Sequence, residues 1–188
     1  MGKKLSEMSL EELWQLFPII LTEHKPYWSE WYAEEAAMLK EVLPVNQVVR
    51  ISHIGSTAIE GIWAKPIIDI LVEITGDSDF QSYKKHLSDA GYLCMAENDQ
   101  RLSFNKGYTE NGFAERVFHL HLRRSGDNDE LYFRDYLIEH SDAAKEYEKL
   151  KLNLWKSYEH DRDGYTEAKS ELVKEYTLKA KDYIPKIT

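Results

Sequence analysis

A single cysteine, Cys94, among 188 residues excludes an intramolecular disulfide and any cysteine-built zinc cluster. It reads as a small buried apolar side chain. Prolines are few, five in all, and most mark boundaries. Pro18 and Pro26 bracket an extended connector, Pro44 ends a helix, and Pro185 stops the last one. No apolar run reaches the 18 residues of a membrane span and no secretory leader is visible. The sequence therefore predicts a soluble, cytoplasmic protein with no membrane partner. Positive charge is in deficit: 24 Lys and Arg stand against 33 Asp and Glu, a formal net charge of −9. That balance argues against a general nucleic-acid or anionic-membrane binder, because a phosphate backbone is met by clustered Lys and Arg. It leaves room for a small phosphate-bearing ligand, which takes only a few local cations. Internal repeats and low-complexity tracts are also lacking.

What is present is enough for a core. Hydrophobic residues make up 43% and aromatics 12% of the chain, a composition that argues against disorder. The length predicts one domain: a helical extension over residues 1–44, a sheet core over 45–125 and a helical part over 126–188. Ser9 and Glu12 have capping-box spacing for a first short helix. Trp28, Trp31, Tyr32, Glu35 and Leu39 form one stripe of a second, over residues 26–42.

The most informative stretch is residues 48–74, VVRISHIGSTAIEGIWAKPIIDILVEI. Val48, Val49 and Ile51 favour a strand, and Gly55-Ser56 breaks it with a turn. Thr57 and Glu60 have capping-box spacing, which predicts a helix start over that turn. In the following IIDILVEI, Ile68, Ile70, Val72 and Ile74 share one strand face, and Asp69, Leu71 and Glu73 the other. The same division recurs over residues 114–123. Phe118, Leu120 and Leu122 are on one face, and Val117, His119, His121 and Arg123 on the other.

Asp79 is placed to cap a helix carrying Phe80, Tyr83, Leu87 and Ala90, which Gly91 closes. Short strands follow over residues 92–95 and 102–105, and residues 107–112 read as a glycine-bounded loop. The remainder reads as helices over 131–139, 141–158 with Ser141 as cap, and 165–183. Tyr147/Lys151 and Tyr165/Lys169 repeat a Tyr-x-x-x-Lys spacing, which puts each pair on one helix face.

The residues HIGSTAIEGIWAKPIIDILVEI closely resemble the signature of the GrpB family, a branch of the nucleotidyltransferase-fold superfamily. The resemblance continues through RVFHLHL, FRDYL, EYEKLK and YTEAKSELV, and covers residues 25–184. It implies an α+β fold: a nucleotidyltransferase-like mixed sheet, with helices packed on one face and a helical C-terminal segment. It implies as activity a metal-dependent transfer of a nucleotide from an NTP to an acceptor. Some members occur fused to dephospho-coenzyme A kinase, an association that hints at coenzyme A metabolism.

Carried onto this sequence, the resemblance makes Gly55, Ser56 and Thr57 a phosphate-binding turn. Asp69, His119 and His121 become catalytic and metal-binding residues. Lys65, Arg116, Arg134, Lys151 and Lys169 are candidate phosphate-binding cations, with Tyr147 and Tyr165 stacking on a base or donating to a phosphate. The metal would be Mg or Mn, with Zn possible. The residues by themselves leave alternatives open: Asp69 as half of an ion pair, His119 and His121 as hydrogen-bonded histidines, and Arg134-Asp135 as a structural pair. One departure bears on activity. Active nucleotidyltransferases place a second acid two residues after the first, and here that position is Leu71. Glu73, four residues along the strand, is about 13 Å away, too far to share an ion with Asp69. Two alternative functions follow: a non-catalytic module binding a nucleotide or coenzyme A precursor, and a phosphohydrolase using the His-x-His strand.

Overall fold

The computed structural model describes residues 3–183; Pro185 lies outside them. In chain order the main elements are α1 (Leu10–Leu16), α2 (Tyr27–Val42), β1 (Val48–Ile54), β2 (Ile68–Ile74), α3 (Phe80–Asp89), β3 (Leu93–Glu97), β4 (Arg101–Thr109), β5 (Gly112–Arg124), α4 (Asp129–Glu139), α5 (Ser141–Trp155) and α6 (Arg162–Tyr183). The five strands form one sheet in the order β1-β2-β5-β4-β3. Only the central β2–β5 pair is parallel; the other three are antiparallel. This is a mixed α+β sheet.

Strand alternation builds the main core. Ile68, Ile70, Val72 and Ile74 of β2 join Phe118, Leu120 and Leu122 of β5. They pack against Trp28 and Leu39 of α2 and Phe80, Tyr83 and Leu87 of α3. Each such side chain, fully buried, contributes about 1.5–3 kcal/mol. Helices cover both faces of the sheet rather than the one expected. Helices α4, α5 and α6 lie over the opposite face, where Leu131 of α4 seals Leu71 and Ile54. The three pack on one another through Phe133, Leu137, Ala144, Tyr147 and Tyr176.

Local signals account for several boundaries. Ser9 and Glu12 close both bonds of their capping box, and Asp79 accepts from the Gln81 amide at 3.0 Å. The helix expected from Thr57 is instead a 3-10 turn, Ser56–Ala58. The Thr57 hydroxyl donates to the Ile67 carbonyl at 3.3 Å rather than capping. Ser141 is the first residue of α5 rather than its cap. The loop expected over residues 107–112 is the tip of a β4–β5 hairpin that pairs Thr109 with Gly112. A bulge between Lys106 and Tyr108 interrupts it. Gly107 makes the bulge possible: its φ is +92°, and a Cβ there would collide with the Arg116 carbonyl.

Candidate functional site

The parallel register of β2 and β5 sets Asp69 opposite His119 and Leu71 opposite His121. Both imidazoles turn toward one carboxylate oxygen. His119 Nδ1 is 3.4 Å and His121 Nε2 3.7 Å from Asp69 Oδ1. The other oxygen, Oδ2, lies against Gly55, whose φ of +72° and missing Cβ let the turn close over the acid. Burial works against the charge of Asp69, but the two imidazoles more than offset it and hold its pKa well below the usual carboxylate range. Burial lowers the pKa of His119, favouring its neutral form. The second nitrogen of that ring, Nε2, meets the Tyr108 hydroxyl at 2.7 Å, a contact that the bulge at Gly107 makes reachable.

Beside this pair is a cleft of about 200 Å³ between the Gly55-Ser56 turn and helices α5 and α6. Lys65, Lys151 and Lys169 line it, as does Arg162, which sequence reasoning did not single out. Lys151, only 2% exposed, donates to the Ser56 hydroxyl at 3.0 Å and to the Trp63 carbonyl. Its Nζ sits 4.8 Å from the ring centre of Tyr147. Lys65 and Lys169 share the Tyr165 ring at 5.0 and 4.3 Å. The repeated Tyr-x-x-x-Lys spacing thus builds cation–π supports for two lysines, one on each helix. Burial, reinforced by the neighbouring cations, brings the lysine pKa values down to about 7 for Lys65 and Lys151. Lys169 falls to about 8, through burial and Arg162. Burial moves the Tyr147 and Tyr165 hydroxyls the other way, Tyr147 to about 12.

Arg162 was missed because residues 159–164 read as a turn, whereas α6 begins at Arg162. Extending the Tyr165/Lys169 stripe back by one helical turn would have found it. Asp161 supports that start, accepting from the Gly164 amide at 2.9 Å.

Three expected ligand residues are engaged by protein partners. Arg116 is on the apolar side of β5, paired with Glu34 and stacked over Trp31 at 5.2 Å. Arg134 bonds Asp135 at 2.6 Å and the His53 carbonyl at 2.8 Å, the structural pair left open above. Thr57 borders the cleft, but its hydroxyl is engaged with Ile67 and with His53 Nε2 at 2.9 Å. His53 stacks on Tyr32 and is driven by burial to a pKa of about 4, so it supports the turn as a neutral ring.

The donor set does not fit the expected metal centre. Among the described residues, no group of three or more His, Cys, Asp and Glu side chains is placed to hold a metal ion. Leu71 is fully buried beneath α4. Glu73 is committed elsewhere, with Oε2 accepting from Arg50 at 2.6 Å and Oε1 from Asn128 at 3.0 Å. A larger open depression of about 710 Å³ beside α1 lies apart from this chemistry. Its Glu12 is already paired with Lys3.

The sequence pattern of the GrpB protein family matches residues 18–179. The chain belongs to the GrpB family. Among its relatives is the glutamate-rich protein GrpB of Alkalihalophilus pseudofirmus, 37% identical over 164 residues, which are 84% of this chain and 92% of the relative. A UPF0157 protein of Pseudomonas aeruginosa is 38% identical over 151 residues, 79% of this chain and 62% of that longer protein. The crystal structure of the conserved protein GrpB from Enterococcus faecalis superposes with a TM-score of 0.76 at 31% identity. That match covers 88% of this chain and all of the other. Among the described residues, no helix is long and apolar enough to cross a membrane.

Proposed function

We infer that this GrpB-family chain binds a phosphate-bearing small molecule, of the nucleotide class, in the cleft between Gly55-Ser56 and helices α5 and α6. The observation that carries this reading is the convergence of Lys65, Lys151, Lys169 and Arg162 on one small cavity. Among the described residues, none of the four has an ion-pair partner within salt-bridge distance. Cations left without carboxylates and held part-buried are costly in an isolated protein. An anionic ligand removes that cost, with Arg162 offering a planar fork and the lysines point charges. Gly55 keeps the turn open for close approach, and the Ser56 hydroxyl, already tied to Lys151, faces the same space.

A second reading, group transfer, is favoured by Asp69 and His119 lining the edge of the same cleft. An acceptor hydroxyl would attack phosphorus and pass its proton to the carboxylate–imidazole pair. The charge of the leaving phosphate would be met by the lysines and Arg162. Nucleotide transfer to an acceptor and hydrolysis by water both fit this scheme.

The test is thermal unfolding against the four NTPs and coenzyme A precursors, followed by assay of phosphate and pyrophosphate release. A ligand present at 100 times its dissociation constant stabilises the folded state by about 2.7 kcal/mol. A shift with a nucleotide, lost when Lys169 and Lys151 are both changed to Gln, supports the binding site. Turnover lost in Asp69→Asn supports group transfer, and a shift without any product leaves a binding module. No shift with any phosphate compound refutes the inference.

A further inference from the structure

Resting on the phosphate-ligand reading, we propose that the cleft neutralises a short oligophosphate with the protein's own four cations, so that the ligand binds without a divalent metal ion. The charge layout differs from that of a site which recruits a metal to shield phosphates. Among the described residues Asp69 is the one carboxylate lining the cleft, together with Lys65, Lys151, Lys169 and Arg162, a formal excess of three positive charges when every lysine is protonated. A diphosphate carries about three negative charges at neutral pH and a phosphate monoester about two. The diphosphate is the better match. A divalent ion beside Asp69 would compete with the protons that the lysines take up and would be repelled by Arg162 and by each lysine that is charged.

The carboxylates that would hold such an ion are withdrawn by packing. Leu71 occupies the position two residues beyond Asp69, sealed by Ile54 and Leu131. Glu73 is 1% exposed and satisfied by Arg50, Asn128 and the Gly126 amide. Asp69 itself has Oδ1 between two imidazoles and Oδ2 against Gly55. Volume sets the size of the ligand group. A cavity of about 200 Å³ falls below the roughly 300–1,000 Å³ of pockets that enclose a drug-sized molecule. It suits a phosphate chain, with the rest of the ligand outside the cavity.

The surroundings of each lysine add a measurable consequence. Lys65 faces Lys169, Arg162, Asp69 and Tyr165; Lys151 faces Lys169, Lys65, Glu148 and Tyr147; Lys169 faces Asp69, Arg162 and Tyr165. With pKa values of about 7, 7 and 8, the empty cluster is short of protons at pH 7.5. An arriving anion restores them, so binding draws in roughly one to two protons per ligand.

Isothermal titration calorimetry of the whole chain with inorganic pyrophosphate tests this at pH 7.5. It is run in EDTA and in excess Mg²⁺, each in two buffers of different ionisation enthalpy. The expected result is binding in EDTA with proton uptake, no tighter with Mg²⁺. Affinity falls tenfold or more when Lys65 and Lys169 are changed to Gln, with the fold checked by circular dichroism. Asp69→Asn separates the two charge schemes. It removes a repulsion and tightens metal-free binding, whereas a carboxylate carrying the metal would lose binding on the same change. Binding at least tenfold tighter with Mg²⁺ than in EDTA overturns the metal-free site while leaving the phosphate ligand standing. No binding under either condition overturns both.

Discussion

Replacing Gly55 by Ala tests the contact on which the geometry of the site depends. Gly55 has φ +72° and ψ −173°, a backbone region essentially confined to glycine, where another residue costs about 1–3 kcal/mol. An added Cβ would also collide with Asp69 Oδ2 and lie 3.1 Å from both Cβ and Cγ of Asp69. The Asp69 Cβ is anchored to a central strand, so the acid cannot swing aside as the end of a long flexible chain would. Overpacking of this kind costs about 1–3 kcal/mol. Together the two effects come to about 4 kcal/mol, or a fall in Tm of about 8–16 °C for a chain of this length. Gly61→Ala is the matched control. Gly61 has φ +77° but nothing within 4 Å of an added Cβ, so only the backbone cost of about 1–2 kcal/mol applies. Urea unfolding followed by circular dichroism reads both variants as midpoint shifts at constant slope. The difference between them, beyond the roughly 1 kcal/mol by which the two backbone costs can differ, reports the collision with Asp69. Equal destabilisation of the two variants would refute the close approach of turn and acid.

Glu73→Ala, which leaves the Asn128 amide and the Gly126 N–H without their acceptor and takes one partner from Arg50, is expected to destabilise by about 1–3 kcal/mol. Pyrophosphate affinity of the folded fraction should be unchanged, as calorimetry below the unfolding temperature will show. Arg116→Ala should change that affinity less than twofold, because its guanidinium belongs to the Glu34 and Trp31 side of the sheet; a tenfold loss would contradict the placement. The stability of the ligand-free protein should rise between pH 7 and 9. Lys65, Lys151 and Lys169 have folded pKa values below their unfolded ones, so the unfolded chain holds more protons in that window. Denaturant titrations of the wild type and of Lys65→Met at pH 7, 8 and 9 check the sign, and the variant should show the smaller rise. Tyr108→Phe removes the hydroxyl on His119 Nε2 and should move the imidazole chemical shifts and pKa seen by NMR; unaltered His119 resonances would refute the contact.

Alternation along residues 67–74 and 116–123 made the two-sided character of the sheet legible. Residues of one parity entered the core with α2 and α3, and those of the other carried Asp69, His119 and His121. A period of two is a property of the strand itself, so it can be read before any partner is known. The Tyr-x-x-x-Lys stripes were legible for the same reason, since a helix brings i and i+4 together wherever it docks. What docks against a face is not written in its period. The placement of α4, α5 and α6 over the acid-bearing side was decided by tertiary packing, as was the sealing of Leu71 beneath Leu131.

Ion-pair choices were likewise decided in three dimensions. A carboxylate or guanidinium is satisfied by whatever the fold brings near, however distant along the chain. Glu73 found Arg50 across the β1–β2 pair, Arg116 found Glu34, 82 residues away, and Lys151 reached Ser56 across 95 residues. Composition alone established that positive charge is scarce in this protein, with 24 basic residues against 33 acidic ones. Only the tertiary structure gathered four of those cations around one cavity with a single acid, because clustering like charges depends on which side chains the fold leaves without carboxylates.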